Sequence, residues 1–157
     1  MQMTVAGRLA DLGITLPKLS PPPGPFVGAI QWGNTVTVSG QVPLQDGKVL
    51  MVGLLGDQIS LEQGQLCARQ ALLNALAQLD AVAGGLDRVA GFVRLGGFVA
   101  ATPEFTRHGA VIDGASHLLM QLFDDKGCHA RAAIGVASLP RGVPVEIELT
   151  AVLQDRG

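Results

Sequence analysis

SLEQGQLCARQALLNALAQLDAVAGG, Ser60–Gly85, carries its own start and stop. Ser60 and Gln63 have the spacing of a capping box, in which each side chain satisfies a backbone N–H at the helix start. Ala68, Leu72, Leu76, Leu79 and Ala83 then recur at intervals of four, four, three and four. That spacing makes one apolar helical face. Gly84-Gly85 ends it, because glycine takes the left-handed conformation that closes a helix. A helix with one apolar face must bury it against another layer, and the flanking segments are rich in strand-forming residues.

Working outward toward the C-terminus, Arg88–Ala100 is rich in Val and Phe and reads as a strand, loosened by Gly91, Gly96 and Gly97. Thr102-Pro103 has the form of an N-cap followed by proline at the first helical position. It predicts a second helix running to about Phe123, with Phe105, Ile112, Ala115, Leu119 and Leu122 on one side. Asp124–Gly127 stops that helix, and two strands follow, Ala130–Ser138 and Val143–Leu153, with Leu139–Gly142 turning between them. Toward the N-terminus, Phe26–Trp32 and Thr35–Val42 are joined by Gly33-Asn34 and read as a hairpin. Gly40 inside its second strand suggests a bulge or a close backbone approach. Asp46-Gly47 marks a turn, and Lys48–Leu55 is a short strand or loop. Ser20–Pro25, SPPPGP, is too rich in proline for a hydrogen-bonded element and predicts a stiff loop laid over the domain. Met3–Leu12 predicts a short helix stopped by Gly13. The order is an α+β domain in which two amphipathic helices cover one face of a mixed sheet. Residues 1–20 form an N-terminal helix and extension, and residues 21–157 the main domain.

The chain has 157 residues, enough for one sizeable core. Apolar residues make up 48% and charged residues 15%, which excludes a disordered, solvating chain. The net charge of −2 and a total of three lysines argue against a phosphate-driven nucleic-acid binder. Cys67 and Cys128 cannot make a disulfide framework. No run approaches the length of a membrane span, and the start does not read as a signal peptide, so a cytoplasmic location is expected. An apolar excess in so small a domain points to buried subunit interfaces.

Chemistry-bearing motifs are sparse. There is no phosphate-binding loop and no nucleophile elbow. His108 and His117 are nine apart and lack the spacing of a helical metal pair. Cys128 and His129 are adjacent on a strand and so face opposite ways. Metal and thiol catalysis are therefore set aside. Arg131 is the one firmly charged residue in His129–Leu139. It is either a surface arginine at a strand end or a guanidinium fork for a carboxylate. Glu146 and Glu148 share one face of the last strand, opposite Val145, Ile147 and Leu149. That face either meets solvent or offers a carboxylate to a water or a proton. Ser39-Gly40-Gln41 supplies donors at a close approach, or is simply a strand end.

Taken in order, Gly24-Pro25-Phe26, Gly33-Asn34, Ser39-Gly40-Gln41-Val42-Pro43, the run Arg131–Pro140 (RAAIGVASLP) and Val145-Glu-Ile-Glu148 resemble the RidA/YjgF/YER057c/UK114 family, once labelled endoribonuclease L-PSP. The resemblance spans about Pro21–Leu153, and the segment Ser60–Ser116, including VIDGAS at Val111–Ser116, is similar to a variant subgroup. It implies a chorismate-mutase-like fold and a homotrimer with three clefts between adjacent subunits. It also implies hydrolysis of imine and enamine intermediates to a 2-oxo acid and ammonia, without metal or organic cofactor. By the same resemblance Arg131 binds the substrate carboxylate, Glu146 orients the attacking water, and Ser39, Gly40 and Gln41 line the cleft. Phe26 stands where active members usually have tyrosine, Ala133 where cysteine is frequent, and Asp113 in place of an expected asparagine. These departures leave open a trimer that binds a small carboxylate metabolite, or docks on a protein, without turnover. Neither nucleic acid nor a membrane is an expected partner.

Overall fold

A computed structural model describes residues 2–156, so residues 1 and 157, at the ends of the two expected segments, lie outside the described residues. In chain order the elements are α1 (Val5–Asp11), β1 (Ala29–Trp32), β2 (Thr35–Gln41), β3 (Leu44–Gln45), β4 (Lys48–Val49), α2 (Leu61–Ala83), β5 (Val89–Ala100), α3 (His108–Phe123), β6 (Ala130–Val136) and β7 (Val145–Leu153). A five-stranded sheet runs β1-β2-β7-β5-β6, and β3-β4 form a small hairpin of their own. All pairs in the large sheet are antiparallel except β5-β6.

α2 forms where its signals put it. Ser60 Oγ accepts from Gln63 N–H at 3.2 Å, and Gln63 Oε1 accepts from Ser60 N–H at 2.9 Å. Gly84 ends the helix at φ 74°. Its apolar face and that of α3 lie on one side of the sheet. There Leu72, Leu76 and Leu79 of α2 lie over the buried side of β7, formed by Val145, Ile147, Leu149, Ala151 and Leu153, while Ile112, Leu119 and Leu122 of α3 join the same core over β5 and β6. One polar side chain enters this core, and it is satisfied. Asn74 donates to Val42 O at 2.9 Å and to Leu44 O at 3.1 Å, tying the chain just after β2 to the helix. α1 adds Val5 and Leu9 to the core, and its Arg8 pairs with Asp124 beyond the end of α3.

Several boundaries differ from the sequence expectation, among them β1, which begins at Ala29 rather than Phe26, and β7, which begins at Val145 rather than Val143. Thr102-Pro103 does not open α3, which begins at His108 with no side-chain cap. Thr102 N–H instead donates to Leu55 O at 3.0 Å, and Phe105 N–H closes a turn on Thr102 O at 3.1 Å. The Leu55–Ala101 bridge thus holds the chain extended into the proline. β6 stops at Val136 rather than Ser138 because its single partner ends. Ala101 N–H takes the carbonyl of Val136 at 3.2 Å, and the chain then turns toward Leu55. The expected irregularity at Gly40 is present. Pairing with β7 slips between Val38, opposite Leu149, and Gln41, opposite Ile147. Three steps on β2 match two on β7, which is a bulge across Ser39-Gly40.

Candidate functional site

Glu146 and Glu148 lie on the face of β7 away from the helices, since Val145, Ile147 and Leu149 between and beside them are buried under α2 and α3. Two glycines on the neighbouring strands make room for them. A methyl on Gly40 would sit 2.8 Å from Glu146 Oε2, and one on Gly96 would sit 2.6 Å from Glu148 Oε1. Burial, and then the negative charge of Glu148, push the Glu146 carboxyl up from 4.5. Arg94 Nη2 stands 3.8 Å from Glu148, whereas Glu146 has no ion pair among the described residues. Next to this pair the bulge organises the start of the sheet. Ser39 Oγ donates to Val27 O at 2.6 Å, and Ser39 N–H donates to Gly28 O at 2.8 Å. Gln41 Nε2 donates to Ser39 O at 3.0 Å. Ser39 therefore staples the Phe26 segment to β2, and the Phe26 ring itself is half exposed.

Arg131 lies on the other face. It pairs in register with Leu95, which is fully buried under the helices, so its side chain rises toward α3. There Nη1 donates to Asp113 Oδ1 at 2.8 Å and to Ser116 Oγ at 3.0 Å, and Nη2 donates to Gly109 O at 3.3 Å. Gly109 permits this approach, because a methyl there would lie 3.2 Å from Nη2. Ser116 is held in turn by His129, with Nε2 at 2.9 Å from its hydroxyl, while His129 Nδ1 is 2.7 Å from Gly127 O. A carbonyl only accepts, so Nδ1 carries a proton and donates to Gly127 O, which fixes the ring with Nε2 against the Ser116 hydroxyl. Ala133 follows two residues along the same face of β6, half-buried against the core.

One copy of the chain does not bring Arg131 and Glu146 together. They are on opposite faces of the sheet, and β7 and β6 are separated by β5, a lateral offset of about 10 Å. Phe26, Ser39, Gly40 and Gln41 go with Glu146, and Ala133 goes with Arg131. Sequence reasoning overlooked Ser116 and His129 as supports of Arg131. The two-residue spacing of His129, just before β6, from Arg131 was an available signal, whereas the meeting with Ser116 on α3 was not. Among the described residues, no group of three or more His, Cys, Asp or Glu side chains is placed to hold a metal ion. The Cys67 thiol is buried and pushed up to about 11, which leaves it protonated and unreactive near neutral pH. No helix among the described residues is long and apolar enough to cross a membrane.

Residues 6–150 match the family described as "YjgF/chorismate mutase-like, putative endoribonuclease". Protein TCP17 of Trypanosoma cruzi is 40% identical over 152 residues, covering 96% of this chain and 95% of its own. The 2-iminobutanoate/2-iminopropanoate deaminase of Salmonella typhimurium is 33% identical over 137 residues, covering 82% of this chain and 88% of its own. Among solved structures, protein Atu1372 from Agrobacterium tumefaciens superposes with a TM-score of 0.88 at 38% identity, covering 97% of this chain and 94% of that one. E. coli TdcF with bound serine superposes with a TM-score of 0.60 at 27% identity, covering 85% and 92%.

Proposed function

The chain belongs to the YjgF/chorismate mutase-like family, and on that premise we propose that it hydrolyses small carboxylated imines or enamines to a 2-oxo acid and ammonia. The observation that carries the proposal is the division of the candidate residues between two faces, an anion anchor on one and an unpaired carboxylate of raised pKa on the other. A site using both must lie between copies, with Arg131 and Ala133 from one subunit and Glu146, Phe26 and Ser39–Gln41 from its neighbour. A cytoplasmic homotrimer that closes such clefts satisfies this need and covers part of the apolar excess. A small carboxylate metabolite is its ligand, with no role for nucleic acid or membrane.

The chemistry follows from the charges. In a 2-iminium acid the carbon bonded to nitrogen is already electrophilic. Arg131 holds the carboxylate and so fixes that carbon. Glu146, ionised, accepts a proton as a water oxygen bonds to the carbon. It then passes the proton to nitrogen, and the carbon–nitrogen bond breaks as the added hydroxyl gives up its own proton to Glu146 and becomes the 2-oxo group. Ammonia takes that proton and leaves as ammonium with the 2-oxo acid. A carboxyl raised above its ordinary value is the better base here, because its pKa lies nearer neutral pH. Phe26 keeps an aromatic surface without a hydroxyl. Together with Ala133, it favours as a second reading a trimer that binds carboxylates without turning them over.

The test is hydrolysis of freshly generated 2-imino acids by wild type, Arg131→Ala and a blank. The expected result is acceleration by wild type and loss of about 100-fold or more in kcat/KM for the variant, with assembly intact. Binding of 2-oxo or amino acids without acceleration by a folded, assembled protein would favour the second reading.

A further inference from the structure

Arg131, the proposed anion anchor, already holds an anion. Asp113 Oδ1 sits 2.8 Å from Nη1, and the pair is only partly exposed, at 29% for Arg131 and 39% for Asp113. The guanidinium is further used by Ser116 and by the Gly109 carbonyl, which leaves two of its five N–H donors for a ligand. Asp113 Oδ2 accepts no hydrogen bond among the described residues. The receptor is therefore not a bare cation but a neutral pair, with spare donors on one member and a spare acceptor on the other.

We infer that Asp113 determines specificity, by making the Arg131 site select ligands that carry a carboxylate and a positively charged nitrogen together. A zwitterion places its carboxylate on the free donors of Arg131 and its N–H on Asp113 Oδ2. A carboxylate with no neighbouring cation meets the Asp113 charge and must displace it or bind beside it. A 2-iminium acid is of the first class, and its hydrolysis product, a 2-oxo acid, is of the second. The same carboxylate that helps admit the substrate would thus speed departure of the product. The inference presupposes Arg131 as the carboxylate anchor.

Binding of 2-aminobutyrate, an unreactive zwitterion, and of 2-oxobutyrate is measured calorimetrically with wild type, Asp113→Asn and Arg131→Ala. Asparagine keeps the shape and can still accept from Arg131, and the melting temperature confirms the fold. The expected result is a wild type that prefers the amino acid. In Asp113→Asn, 2-oxobutyrate should gain about tenfold and 2-aminobutyrate lose about tenfold, so the preference reverses. If wild type binds neither ligand, a gain of 2-oxobutyrate binding in Asp113→Asn still supports the inference. Unchanged or weakened 2-oxobutyrate binding in that variant overturns it. Arg131→Ala separates the premise, because loss of both ligands there with no effect of Asp113→Asn leaves the anchor standing and removes only the role of Asp113. Wild-type affinities in Arg131→Ala remove both.

Discussion

Glu146 and Arg131 sit on the same sheet in opposite electrostatic company. Glu146 is half-buried, shares its face with Glu148 and has no ion pair among the described residues, so its charged form is held at a cost. Arg131 is gripped by a carboxylate, a hydroxyl and a carbonyl, so its guanidinium is held in position. In the proposed reaction the first arrangement supplies the base and the second the anchor. The two are also built differently. The niche of the two glutamates comes from neighbouring strands and uses one glycine for each, Gly40 for Glu146 and Gly96 for Glu148, whereas the Arg131 cluster joins β6 to α3 and needs a helix to lie at the right height.

The contrast can be broken one group at a time. Glu146→Gln removes the base and keeps the shape, so kcat/KM for imine hydrolysis should fall by about 100-fold or more. The wild-type rate should rise with pH through the Glu146 titration, above the ordinary 4.5, and that limb should vanish in the variant. Steady-state kinetics on freshly made substrate checks both. A smaller effect is expected from Gly40→Ala. The added methyl would meet the Glu146 carboxylate at 2.8 Å, and the flexible end of that side chain must move aside. Activity should drop about tenfold through a misplaced base, with little change in melting temperature. An unchanged rate would show that the position of Glu146 against β2 is irrelevant.

The smallest effect is on stability and has a definite sign. A carboxyl whose pKa is raised by folding binds its proton more tightly folded than unfolded. Its contribution is therefore favourable below the unfolded value and is lost as pH rises through the raised one. Glu146→Gln should thus melt slightly higher than wild type at neutral pH, and the difference should disappear on acidification below about 4. Thermal melts at several pH values read it directly.

What was legible in the sequence follows the same division. The Glu146 side was written locally. The two-residue period paired Glu146 with Glu148, and Gly40 announced a bulge or close approach, both of which the structure has. α2 was likewise complete in its caps and its apolar face. The Arg131 side was only half visible. Its strand could be read, but Asp113 and Ser116 reach it from the preceding helix, and their meeting is a tertiary contact with no local signature. The start of α3 was misjudged for the same reason. Thr102-Pro103 is good local helix-start chemistry, but Leu55 takes the Thr102 N–H first. The face to which Glu146 and Glu148 belong was also undecided until the helices were placed.

The central claim is that a working site takes Arg131 from one copy and Glu146 from another, and mixing tests it most directly. Arg131→Ala and Glu146→Gln proteins, each inactive, are unfolded together and refolded at equal amounts. In a randomly mixed trimer, about a quarter of the interfaces join an intact Arg131 to an intact Glu146, so imine hydrolysis should recover to about a quarter of wild type. Verified mixed assemblies with no recovery would contradict a site shared between subunits.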